Sequence, residues 1–211
     1  TELTDLMIRI GRIQCMLIGA LCAGFIAFGK SFIVDIWNKP DFTESYICAV
    51  LLILPSFFYL PLQIANTTVI VENKVKLQSY VFIAMGVINV VLSIFLSKNY
   101  GAVGASASIF VAYMVRTVLM VVIHVKVLHL KMWTFFKETF LKITPWILVS
   151  LAVGLALENF NPMSHGFLRF GLNAIIFMVF FAVIMLVFCM NSYEKNLVFG
   201  TIKKITGKIK R

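Results

Sequence analysis

Residues able to do chemistry are sparse in this chain, so their placement carries most of the information. The nine carboxylates are Glu2, Asp5, Asp35, Asp41, Glu44, Glu72, Glu138, Glu158 and Glu194. None lies in the middle of an apolar run beside a histidine or a second carboxylate, as catalysis within a membrane would need. There is no Gly-rich phosphate loop, no HExxH and no GxSxG. The spacing of His124 and His129 does not put both on one helix face, and His165 stands apart. All three read as interfacial polar residues rather than metal ligands. Cys15, Cys22, Cys48 and Cys189 sit in apolar runs without CxxC spacing and read as buried thiols of membrane helices. No enzymatic activity, cofactor or metal is expected. The charge that stands out is Arg116, inside a long apolar run. An unpaired cation at mid-depth of a bilayer costs at least ~2.5 kcal/mol. Arg116 therefore has a substrate or gating role, a structural partner, or a snorkelling position near the end of its helix.

The elements that must position these residues follow from composition. Apolar residues make up 61% of the 211 and charged residues 13%, with a mean hydropathy of +0.96. Soluble domains have roughly 45–50% and 25%. A fold of this size cannot hide so much apolar surface, so the excess must face lipid. That excludes a soluble enzyme, a nucleic-acid module and a disordered chain. A bilayer core of roughly 30 Å needs ~20 apolar residues per helix. Six runs qualify or nearly do, at about residues 13–37, 46–71, 77–96, 101–125, 143–157 and 167–190. They lack the alternation of membrane strands. The fold class expected is an all-α integral membrane protein with six transmembrane helices.

Charge placement gives the topology. With a cytoplasmic N-terminus, the inner segments carry Arg9, Arg12, Lys74, Lys76, Lys126, Lys131, Lys137, Lys142 and the cations of the tail. The outer loops carry only Lys30, Lys39, Lys98 and Arg169. The positive-inside rule then puts both ends in the cytoplasm. The net charge of +10 is a topology signal at an anionic leaflet, not a nucleic-acid footprint. The opening TELTDLMIRIGRIQ has no charged n-region ahead of an apolar run and no small-residue cleavage site. It reads as the interior of a longer protein rather than a signal peptide. The tail, residues 191–211, spaces Val198, Ile202, Ile205 and Ile209 among lysines, a basic amphipathic segment suited to the inner interface.

Helix faces can be assigned in part. In the second run Pro55 and Pro61 remove backbone donors, and Gln63, Asn66, Thr67 and Thr68 follow. Such a segment is tolerable at membrane depth only against protein or water. Asn66-Thr67-Thr68 matches the glycosylation sequon but lies inside an apolar run, so it is discounted. Ser79, Gly86, Asn89 and Ser93 share a stripe of the third helix. Gly104, Ser108, Ala112 and Arg116 form one i, i+4 row of the fourth, which predicts close helix approach and an inward-facing Arg116. Gly19/Ala23 and Ala20/Gly24 read as packing pairs of the first helix. The sixth helix, apolar all round, is expected to face lipid.

The order of local patterns carries a resemblance. It runs from Arg9-Ile-Gly-Arg12 through FGKSFIVDIW at 28–37 and ANTTVIVENKVKLQ at 65–78. INVVLSIFL at 88–96 and NYGAVGASASIFVAY at 99–113 follow. Over about residues 1–190 this resembles the C-terminal portion of bacterial Wzx-type polysaccharide flippases (O-antigen and capsule exporters) of the MOP superfamily, which also holds the MATE exporters. Asn38 after Trp37 departs from the Gly such proteins often carry there.

The resemblance implies the C-terminal part of a two-lobe transporter. Residues 1–129 would be the last four helices of the C-terminal six-helix lobe. Residues 130–190 would be a terminal helix pair, and 191–211 a cytoplasmic tail. It further implies alternating-access export of an undecaprenyl-diphosphate-linked oligosaccharide across the bacterial inner membrane, for cell-surface polysaccharide such as lipopolysaccharide O-antigen. The partners implied are that lipid-linked oligosaccharide, membrane lipids and an N-terminal lobe of the same protein, without nucleic acid. Arg116, Asn89, Gln63, Asn66, Ser93 and Ser108 are then the substrate-cavity candidates, Arg116 facing the diphosphate and the others replacing water around sugar hydroxyls. Two alternatives remain at this point: half of a MATE-type drug/cation antiporter, which wants acids within its helices, and a small membrane scaffold that transports nothing.

Overall fold

A computed structural model describes residues 2–37, 43–160, 166–197 and Gly200. The described chain is almost wholly helical and contains no strand. Its helices are α1 (Glu2–Ser31), α2 (Thr43–Tyr59), α3 (Gln63–Val71), α4 (Val75–Lys126), α5 (Met132–Phe136), α6 (Lys142–Phe160) and α7 (Phe167–Ile184). A 3-10 turn at Leu60–Leu62 joins α2 to α3 where Pro61 denies the helix a donor. Wide π-helical turns at Phe32–Ile36, Lys137–Leu141 and Met185–Cys189 extend α1, lead into α6 and end α7. Counted with these extensions, five helices among the described residues are long and apolar enough to cross a membrane.

The sequence predicts six crossings, and the difference lies in α4. At 52 residues and 1.5 Å per residue, a straight α4 would span about 78 Å, more than twice a hydrocarbon core. It is not straight. Gly101 has φ 57° and ψ −134°, a conformation open to glycine and strained for any side chain. There α4 doubles back. Ser108 Oγ lies 3.1 Å from Asn89 Oδ1, although 19 residues of continuous helix would hold them about 28 Å apart. Gly104 makes the elbow tight, since a Cβ on it would overlap the backbone of Leu96 and Ser97. Thus α4 is two antiparallel arms, residues 75–100 and 102–126.

α1 is the centre of the packing. Its buried stripe includes Met7, Gly11, Cys15, Gly19, Cys22, Ala23 and Ala27. α6 runs parallel to it, with Glu138 beside Arg12, Ile147 against Gly19 and Glu158 at Ser31. α7 runs the other way. Its Phe170 meets Phe32 at 5.5 Å, and Cys189 meets Arg12. One hydrophobic core joins Cys15, Phe28, Phe57, Ile143, Phe177 and Met185, residues from both sides of the expected boundary at 129/130. A smaller core gathers Met7, Leu62, Ala65 and Phe135, and a third joins Val69 to Val81 and Met120 of the two α4 arms.

α7 corrects one expectation. It is not bare to lipid on every side, because Arg169, Asn173, Phe177, Phe181 and Ile184 form a buried stripe. Beyond Asn173 the helix is apolar all round, so there its inner face is chosen by shape. Here that is the edge-on packing of Phe177 on Phe28 at 5.5 Å. Arg169, expected in an outer loop, is instead in the first turn of α7 and 7% exposed.

The end of the bundle that carries the start of α1 is closed by a buried ion pair. Arg12 Nε lies 2.6 Å from Glu194 Oε1, with both side chains nearly inaccessible. Arg12 Nη1 donates to the Glu138 carbonyl at 2.7 Å, and Nη2 to the Cys189 carbonyl and Glu194 Oε2. Arg9 lies over the Tyr193 ring at 5.2 Å. The beginning of α1 and the segment after α7 therefore share one end of the bundle. Of the predicted amphipathic tail, 192–197 is helical; Val198, Ile202, Ile205 and Ile209 lie outside the described residues.

Three substitutions test this architecture. Gly104→Val should lower the midpoint of thermal unfolding in detergent, as overpacking by ~1–3 kcal/mol would. Gly171→Ala, which meets nothing within 4 Å, should leave it unchanged. Glu194→Ala strands a buried guanidinium and should cost about 3–5 kcal/mol, read as a larger fall in the same midpoint.

Candidate functional site

Arg116 sits where α2 meets both arms of α4. Its guanidinium carbon lies 4.8 Å from the Phe82 ring centroid on the first arm, 5.3 Å from Tyr59 at the end of α2 and 5.8 Å from Tyr113. Tyr59 and Tyr113 are themselves 5.5 Å apart. Three π faces thus lie within reach of the cation, each worth ~0.5–2 kcal/mol. No carboxylate among the described residues pairs with Arg116, and its buried Nε has no hydrogen-bond partner. The side chain is half-buried. The result is a cation fixed in position by rings that accept no N–H in the guanidinium plane, with its donors uncommitted.

The row predicted from sequence faces inward and extends further. Gly104, Ser108, Ala112, Met120 and His124 are all buried, with Arg116 on the same line. Ser108 donates to the Ala105 carbonyl at 2.7 Å and lies 3.1 Å from Asn89 Oδ1. This contact is about 12 Å from Arg116 along the second arm. Ser93, one turn beyond Asn89, is half-buried. His124 departs from the interfacial expectation. It is fully buried, and neither ring nitrogen has a hydrogen-bond partner.

Gln63 lies elsewhere. It is exposed and lines a cavity of about 630 Å³ between α1 and α3, together with Gln14, Thr67, Thr68 and Glu72. The hydroxyls of Thr67 and Thr68 donate back to Gln63 and Ile64 carbonyls at 3.0 and 2.9 Å, leaving their lone pairs available. Gln14 Oε1 is buried in the same region without a partner. Asn66 is 4% exposed with its Oδ1 also unpartnered, and it does not line that cavity. The six sequence candidates therefore do not converge on one site. Asn89 and Ser108 are brought together; Arg116 and Gln63 occupy separate places.

Two groups escaped the sequence. Gln14 had no partner in view, because the residues it faces lie on α3. At the opposite end from Arg12, Glu158 accepts from Ser31 Oγ and, at 3.0 Å, from Asn173 Nδ2. Arg169 lies 3.7 Å from the same carboxylate and donates to the Glu158 carbonyl. The spacing of Arg169, Asn173, Phe177 and Phe181, an i, i+4 row as in the fourth run, was the signal available. Among the described residues no three His, Cys, Asp or Glu converge as a metal site would require, and the four cysteines are free. The arrangement offers a held cation and acceptors suited to hydroxyl groups.

Comparison of the chain with protein-family profiles, with curated proteins and with solved structures found no match in any of the three.

The Asn89–Ser108 contact is measurable. A double-mutant cycle with Asn89→Ala and Ser108→Ala, read by thermal unfolding in detergent, should return a coupling of ~0.6–1.7 kcal/mol. Additivity would mean the two arms do not meet there.

Proposed function

We propose that the chain is part of the C-terminal half of a lipid-linked oligosaccharide flippase in the bacterial inner membrane. It crosses the bilayer six times with both ends cytoplasmic, α4 making two of the crossings. The reading rests on the motif order from Arg9 to Tyr113 and, above all, on Arg116: an arginine set among helices that are otherwise apolar, held by three rings and joined to no carboxylate among the described residues. An isoprenoid diphosphate is the kind of anion such a guanidinium serves, because the fork of N–H donors fits phosphate oxygens.

A sugar chain crossing hydrocarbon loses its water, at a few kcal/mol for each unmet hydroxyl. The acceptors on Gln14, Asn66 and Asn89 and the threonine lone pairs near Gln63 are the types that replace that water. Their placement at successive depths suits a headgroup that moves, and movement would come from rocking against a second lobe. Support for the antiporter alternative would be an uncommitted acid among the helices. Glu158 is the acid nearest to that description, and Ser31, Asn173 and Arg169 already engage it.

The test is export. Arg116→Ala, introduced in the native cell at normal protein level, should lower surface polysaccharide by at least tenfold, as loss of a charged hydrogen bond of ~1.5 kcal/mol or more implies. Arg116→Lys should restore part of it. Undiminished export with Arg116→Ala would reject the proposal.

A further inference from the structure

A second polar site lies at the end of the bundle opposite Arg12, where α1, α2, α6 and α7 come together. A cavity of about 320 Å³ there is lined by Lys30, Ser31, Tyr46, Glu158, Asn159 and Arg169. Its charges do not cancel. Glu158 and Arg169 compensate one another at 3.7 Å, and both carboxylate oxygens of Glu158 are already engaged. Lys30 is exposed, ends α1, and joins no carboxylate among the described residues. Among the described residues that line the cavity, one positive charge is left over. It stands beside hydroxyl and amide groups in a space large enough for a phosphate ester with a small polar substituent.

The level of the site in the bilayer is marked by an aromatic residue. Trp37, 68% exposed at this same end, is of the residue type that sits at the membrane–water interface. A groove at that depth meets lipid headgroups at high local concentration, and a lone lysine there attracts anionic ones.

We propose that this cavity binds the phosphodiester of an anionic membrane lipid, one negative charge against the one surplus cation, with Lys30 as the contact that selects charge. The inference depends only on the chain lying in a membrane, and stands or falls apart from any transport role of Arg116. Free phosphate shares the same chemistry, so the test separates the two sources.

The purified full chain in detergent would be offered phosphatidylglycerol and phosphatidylcholine in equal amounts, and the retained lipid weighed by native mass spectrometry. Phosphatidylglycerol should be preferred, and Lys30→Ala should reduce that preference about fivefold, the worth of one cation near a membrane surface. Lys98→Ala, another exposed lysine on the α4 elbow, should leave the preference intact. Millimolar inorganic phosphate should not displace the lipid. Equal retention of the two lipids, an equal effect of both lysine variants, or displacement by phosphate alone would each overturn the proposal. Lys30 is exposed, so its variant should unfold at the same temperature as the parent; a lowered midpoint with unchanged lipid preference would also overturn it.

Discussion

An apolar medium offers no water to a stranded donor, and Arg12 shows what that constraint does to this fold. Its guanidinium binds Glu194 through Nε and Nη2, the Glu138 carbonyl through Nη1 and the Cys189 carbonyl through Nη2. Both carbonyls belong to π-helical turns, Lys137–Leu141 and Met185–Cys189. A π turn breaks the regular carbonyl ladder, and Cys189 ends its helix with an orphan acceptor. The cation needs carbonyls and the irregular turns supply them. In meeting that need, one side chain joins α1, the lead into α6, the end of α7 and the segment beyond. A fully wet surface would let each of these go its own way at little cost.

Arg116 is the counter-case, and the contrast separates a structural charge from an available one. Arg12 is buried and has nearly all its donors placed on oxygen. Arg116 is half-buried and touches rings. Cation–π contact holds the guanidinium in place while leaving its in-plane N–H groups unspent. The same physics that makes an unpaired arginine costly in a membrane makes it a strong attractor for an anion that arrives dehydrated. Burial alone would rank Arg12 first; counting committed donors reverses the order.

Periodicity and hydropathy made the helices legible, and the proline positions foretold the broken passage from α2 to α3. The turn at Tyr100-Gly101 was legible as the boundary between two runs, although backbone hydrogen bonding carries α4 through it. The inward row from Gly104 to Arg116 could be read because its spacing is local. What could not be read was pairing. Arg12 and Glu194 are 182 residues apart, and nothing near either names the other. Arg169 looked like a loop charge because it stands at the very start of its apolar run, at the outer end. Its partner Glu158 lies across a connection whose central residues, 161–165, are outside the described part of the chain. The buried face of α7 was marked only by Arg169 and Asn173 near its start, a signal easily lost in a run that is otherwise apolar on every side.

The inward row also explains why the polar groups stand at separate depths rather than in one pocket. An i, i+4 row on a helix drifts slowly around the axis while climbing about 6 Å per step. Ser108, Arg116 and His124, each two steps apart, therefore meet successive neighbours. Ser108 meets Asn89 of the antiparallel arm, and Arg116 meets Tyr59 and Phe82. His124 lies at the level of Met120, whose small core includes Val69. A single cavity would require bulky polar residues crowded on one turn, which desolvation penalises in an apolar surround. Spacing them by two turns lets each be shielded by its own apolar neighbours. The geometry that makes the row stable is thereby the geometry that lays out a series of polar steps along the bundle.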